Sequence, residues 1–190
     1  MVDLIEHKII GTITNVNCPE GSVISPDGTR LYVVTQCGAG QDPVFVIDTT
    51  TDTVLTHIPG LAVGLTLAIS PDGGKLYVGR GGFTTRDSAS SRVVTVKDQL
   101  SVITTADNRI VETLQMTVRA LAFTSDGKHL LVGSDKAIKI ISTATYAVVN
   151  TIPLGTSPTG IAITKDNKAY VWLPEENRLF LLGLGGLLGP

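Results

Sequence analysis

The residues of this 190-residue chain best equipped for chemistry are two cysteines, Cys18 and Cys37, and three histidines, His7, His57 and His129. Their spacing restricts what they can do. No His-x-His, Cys-x-x-Cys or His-Glu-x-x-His pattern occurs, so no metal site is expected. Neither cysteine has a histidine beside it to activate a thiolate. No Gly-x-Ser-x-Gly motif is present, and "GRGG" at 79–82 is followed by no helix that could present a phosphate-binding turn. No cofactor is expected.

The carboxylates follow a different pattern. Asp27, Asp72, Asp126 and Asp166 sit in four copies of one motif: "ISPDGTRLYVV" from 24, "ISPDGGKLYVG" from 69, "FTSDGKHLLVG" from 123 and "ITKDNKAYVWL" from 163. Proline pre-sets φ, aspartate hydrogen-bonds its local backbone, and glycine takes the left-handed position that closes the turn. These are the marks of a hairpin turn, and aspartates spread over separate repeats do not converge on a ligand.

The elements that carry the turns follow from their spacing. The aspartates stand 45, 54 and 40 residues apart, the period of propeller blades. Each hairpin is followed by a third apolar segment ("VFVID" at 44, "LSVIT" at 100, "IKIIS" at 138, "LFLLG" at 179). The first three repeats add a fourth ("TVLTHI", "RIVETL", "AVVNTI"). The segments are short and rich in Val, Ile, Leu and Thr, which reads as all-β. The repeats fall at about 14–58, 59–114, 115–152 and 153–183, in a single domain. The long spacing marks an insertion at 80–99, a mobile loop or a protruding hairpin. The last repeat lacks its fourth strand, and "KIIGTI" at 8–13 matches it. The expected fold is therefore a β-propeller of four four-stranded antiparallel blades, with the N-terminal strand completing the last. It closes as a four-bladed ring or forms half of an eight-bladed dimer.

The pattern "SPDGTRLYVV…VFVIDTTTDTVLTHI" resembles the YVTN-type β-propeller repeat, over about residues 8–183. The third copy departs with Leu131 in place of Tyr32, Tyr77 and Tyr170, and the fourth lacks both proline and glycine in its turn. The resemblance implies the fold. It permits cell-surface proteins, lactonase-like and lyase-like enzymes and haem-associated propellers, and so selects no activity.

Folding the first hairpin about Asp27 and Gly28 pairs residues whose numbers sum to 54 or 55, and those of Cys18 and Cys37 sum to 55. A disulfide is feasible if the two stand opposite, and a slip of one residue would put them on opposite faces. A bridge would suit an extracytoplasmic, oxidising compartment. The N-terminus lacks the basic and apolar regions of a secretory signal, which if native points to the cytoplasm. The recurrent tyrosines are read as packing between blades; for Trp172, near the end of its strand, lining a surface pocket is the lesser alternative.

With 17% charged residues and a formal charge of −2, the chain has no field suited to nucleic acid. No segment reaches the roughly 20 apolar residues of a membrane span. Function in such folds is carried by loops. The face bearing the insertion collects the candidate ligand-binding residues Gln36, Asp42, Arg80, Arg86, Arg92, Arg119 and Glu175. The favoured reading is a non-enzymatic binding module for a protein or small-molecule ligand, as a monomer or homodimer. The alternative is a small lyase or lactone hydrolase with Arg92, Glu175 and Asp42 at the central axis.

Overall fold

The computed structural model describes residues 2–3, 7–9, 11–36, 44–61, 64–86 and 93–185. After a short hairpin of β1 (Val2–Asp3) and β2 (Lys8–Ile9), the strands gather into successive antiparallel sheets. Blade 1 is β3 (Pro19–Ile24), β4 (Arg30–Thr35), β5 (Val44–Asp48) and β6 (Thr53–Ile58). Blade 2 is β7 (Gly64–Ile69), β8 (Lys75–Arg80), β11 (Gln99–Thr104) and β12 (Arg109–Gln115), with β9 (Phe83–Arg86) and β10 (Val93–Val96) forming a separate hairpin inside the insertion. Blade 3 is β13 (Ala120–Phe123), β14 (His129–Ser134), β15 (Ala137–Ser142) and β16 (Val148–Pro153). Blade 4 is β17 (Gly160–Ile163), β18 (Lys168–Leu173) and β19 (Arg178–Gly183). The fold is thus all-β, four antiparallel blades arranged as a propeller.

One strand differs from expectation. Lys8–Ile9 pairs with Val2–Asp3, and among the described residues blade 4 has three strands. A strand-like segment pairs with whatever edge is available, and an edge a few residues upstream costs less chain entropy than one at the far end of the molecule.

Strand alternation makes the core. In β8, Leu76 and Val78 face blade 1 while Tyr77 faces blade 3, and all three are buried. The same alternation gives three hydrophobic layers, one at each junction. Tyr32, Val34 and Val46 meet Leu76 and Val78. Tyr77, Leu100 and Val102 meet Leu130 and Val132. Leu131, Ile138 and Ile140 meet Ala169 and Val171. Inner strands pack in series, β3 on β7, β7 on β13 and β13 on β17; among the described residues no comparable packing joins blade 4 to blade 1. Tyr170, Trp172, Leu179 and Leu181 share the outward face of blade 4 through the pairs Tyr170–Leu181 and Trp172–Leu179, and all four are exposed.

The repeated turns tie blades together. Asp27 Oδ1 accepts from the Ser25 hydroxyl at 2.6 Å and the Thr29 N–H at 3.0 Å, and Asp72 repeats this with Ser70 and the Gly74 N–H. A threonine after the third strand then ties down the turn glycine: Thr49, Thr105 and Thr143 donate to the carbonyls of Gly28, Gly73 and Gly127. Between blades, each proline position meets the glycine position of the next turn. A Cβ on Gly73 would lie 3.3 Å from Pro26 Cδ, and one on Gly127 would lie 3.2 Å from Pro71 Cδ. Both glycines have positive φ, so the close approach and the backbone each call for glycine. At the third junction serine replaces the proline and asparagine the glycine, and Ser125 donates to Asn167 Oδ1 from its N–H (3.3 Å) and its hydroxyl (3.1 Å).

Candidate functional site

The face that carries the insertion is organised around the ends of β8 and β11. Arg80 and Gln99 are cross-strand partners, and Arg80 Nη2 donates to Gln99 Oε1 at 2.7 Å. Gln99 Nε2 in turn donates to Ser101 Oγ at 3.1 Å. Burial pulls the Arg80 guanidinium below its usual pKa, and its Nε is buried without a partner.

Asp98, just before β11, fixes the root of the insertion to blade 3. It accepts from the Gly82 N–H at the outgoing end. The Thr117 hydroxyl lies 2.7 Å from Asp98 Oδ2 and 2.7 Å from Asp135 Oδ2. Having one proton, it can donate fully to only one carboxylate at a time. Arg119 Nη2 sits 3.7 Å from Asp135 Oδ1 and balances part of this charge. Further round, Glu176 accepts from the Thr156 hydroxyl at 3.1 Å and faces Arg178 at 3.7 Å.

Of the residues proposed for this face, Arg80 and Arg119 take part in these networks, while Gln36 and Glu175 are exposed. Among the described residues no hydrogen bond or ion pair links these four to one another. Arg86 pairs with Val93 in the insertion hairpin; its side chain, with Asp42 and Arg92, lies outside the described residues. Cys18 is disulfide-bonded, while Cys37, the other cysteine of the chain, lies outside the described residues. The hairpin between them runs in one register from Ile24–Leu31 to Gly21–Val34, then shifts by one at a bulge before Pro19–Thr35.

A second feature lies on the opposite face, among the turns. A cleft of about 700 Å³ opens between blades 1 and 2, lined among others by Asp27, Arg30, Tyr32, Leu55, Asp72 and Asn108. Arg30 is held to Asp48 at 3.0 Å. Hydrogen bonds from Ser25 and Thr29 hold the Asp27 carboxyl below the usual range, and bonds from Ser70 and Gly74 do the same for Asp72. Both are therefore anions at neutral pH, acceptors rather than proton shuttles. Motif reading did not find this cleft, since its defining residue, Asn108, belongs to no motif. The available signal was a comparison of blades, in which Asn108 stands where blade 3 has Tyr146.

Comparison with known proteins fits this architecture. No family model matches the chain, and no curated protein matches it in sequence. Solved structures do match. U3-55K is similar with a TM-score of 0.63 and 16% identity, over 90% of this chain and 53% of that one. The WD40 β-propeller domain of Doa1 has a TM-score of 0.65 and 12% identity, over 86% and 50%. Hydrazine synthase from Kuenenia stuttgartiensis has 0.54 and 20%, over 99% and 71%. At these identities the likeness is one of fold. The chain spans about half the length of the first two.

Proposed function

We propose that the protein is a non-enzymatic binding propeller of the YVTN-repeat type, which engages a protein or small-molecule ligand through the face bearing the 80–99 insertion. The observation that carries this reading is the brace from Gly82 through Asp98 and Thr117 to Asp135 and Arg119. It couples the base of a protruding hairpin to the neighbouring blade, so a ligand on the hairpin would meet a pre-organised support. The WD40 propellers among the structural neighbours share the fold that this reading requires. The test is to select displayed peptides on the intact protein and re-measure them on a variant lacking residues 82–91. Loss of most selected binders, with an unchanged circular dichroism spectrum, is expected. Equal binding by the variant refutes the loop face.

The outward face of blade 4 favours a homodimer. Among the described residues the turn row ends unmatched on both sides: nothing comes within 4 Å of a Cβ on Gly28, and no turn glycine meets Lys165, which occupies the proline position. A second copy would bring Lys165 to Gly28, beside Asp27, and cover Tyr170, Trp172, Leu179 and Leu181. Two half-length arcs would then close one ring of eight blades. Light scattering should give twice the chain mass, falling to the single mass in Trp172→Asp. A monomer at all concentrations refutes it.

A further inference from the structure

The cleft between blades 1 and 2 can be read against the next junction, because the chain contains its own comparison. Thr105 and Thr143 make the same hydrogen bond to a turn glycine, and three residues beyond them lie Asn108 and Tyr146, each with φ of 58°. The walls correspond as well: Arg30 matches Lys75 and Tyr32 matches Tyr77.

At the second junction Tyr146 reaches back towards blade 2. Its hydroxyl accepts from Lys75 Nζ at 2.7 Å, the same ammonium sits 4.8 Å from its ring centroid, and the ring packs on the core layer that contains Tyr77. At the first junction the shorter Asn108 stands in its place, and there the cleft opens. Asn108 does not reach across as Tyr146 does: its Oδ1 is buried without a hydrogen-bond partner, whereas the Tyr146 hydroxyl meets Lys75. Tyr32 is 3% exposed and lines the cleft.

We infer that this cleft is a binding site for a neutral phenol ring, which occupies the position that Tyr146 fills one junction further on. The ring replaces the missing aromatic against Val46 and Leu55. Its hydroxyl offers a lone pair to Arg30, as the Tyr146 hydroxyl does to Lys75. Asp27 and Asp72 at the rim make the site selective against anionic phenols, since neither has an ion-pair partner among the described residues. The site lies on the face opposite the insertion and stands independently of the loop-face reading.

The ring could come from a free phenol or from a tyrosine side chain, so calorimetric titration uses both p-cresol and N-acetyltyrosinamide. Saturable binding of p-cresol at one site per chain is expected, at least tenfold weaker for toluene and for 4-hydroxyphenylacetate. Binding of N-acetyltyrosinamide with equal or greater affinity assigns the source to peptide tyrosine, and p-cresol alone assigns it to free phenols. Asn108→Tyr should rebuild the internal plug and weaken p-cresol at least tenfold. Leu55→Trp, at an exposed position on the opposite wall, should do the same if Asn108→Tyr does not fold. Tyr146→Asn should open a second site and raise the stoichiometry towards two. The inference is overturned if p-cresol shows no saturable binding at millimolar concentration, or if neither filling variant weakens it.

Discussion

Gly79→Ala tests how closely the blades approach. Gly79 lies on β8, held by ladder pairs to Thr66 on one side and Leu100 on the other, so its backbone cannot recede. A Cβ there would fall 2.4 Å from Val118 Cγ1, 2.8 Å from Val118 Cβ and 2.9 Å from Thr66 Cγ2. A rotamer change in Val118 moves Cγ1 and leaves Cβ where the backbone puts it, so the clash cannot be relieved by a side chain alone. The cost should therefore sit at the upper end of overpacking penalties, about 3 kcal/mol. For a chain of this size that lowers Tm by roughly 6–12 °C. Thermal and urea unfolding followed by circular dichroism would measure it. Gly74→Ala is the control, since its nearest atom would be Asp72 Oδ1 at 3.4 Å, and it should stay within about 0.5 kcal/mol of the parent. Adding Val118→Ala removes the shortest contact but keeps the second, so the double variant should be more stable than the sum of the single costs predicts, without full recovery. Gly79→Ala within about 0.5 kcal/mol of the parent, or strict additivity with Val118→Ala, would refute the reasoning.

Three further outcomes are expected. Ser125→Pro removes both donors to Asn167 and should cost about 1–2 kcal/mol in urea unfolding. The pair Ser125→Pro/Asn167→Gly should recover most of it by restoring the contact of the other junctions, and a double variant no better than the single would count against the interlock. Tyr77→Phe deletes a hydroxyl that is buried without a partner, so the urea midpoint should hold or rise; a clear fall would show an unseen bond. Lys168 and Thr164 hold the Asp166 carboxyl at about 2, and Asp27, Asp72 and Asp126 are also lowered, chiefly by hydroxyls of Ser25, Ser70 and Thr124. Folded-state values below the unfolded ones give stability that is complete above about pH 4 and lost as pH falls towards 2. Urea midpoints should decline over that window, and the gap between the parent and Asp166→Asn should close by its lower end; a gap independent of pH would refute the assignment.

The blades were legible because each copy repeats turn and strand chemistry dictated locally: Ser-Pro-Asp-Gly specifies its turn wherever it occurs. The insertion was legible from spacing alone, which left a mobile loop and a protruding hairpin both open. What depends on relations between copies was not legible. The register at Cys18 is decided by a bulge that no residue type announces. Lys8–Ile9 has the pattern of an outer blade strand, but which edge it joins is a matter of competition. Tyr32 and Tyr77 pack between blades as their recurrence suggested, whereas Tyr170 and Trp172 stand on an exposed face, because burial depends on what packs against the blade and not on the residue's place in the repeat. The cleft arises from an asparagine whose significance appears only beside Tyr146.

The exchange of proline and glycine for serine and asparagine at the third junction means that each blade carries half of a lock and half of a key. Blades with this arrangement cannot be shuffled freely. A copy of blade 4 inserted after blade 1 would set Pro26 against Asn167, uniting a ring that donates nothing with an amide that has lost its donors. Any lengthening of this array by duplication would therefore have to alter both sides of a boundary together, so the seams between blades preserve the order in which they were joined.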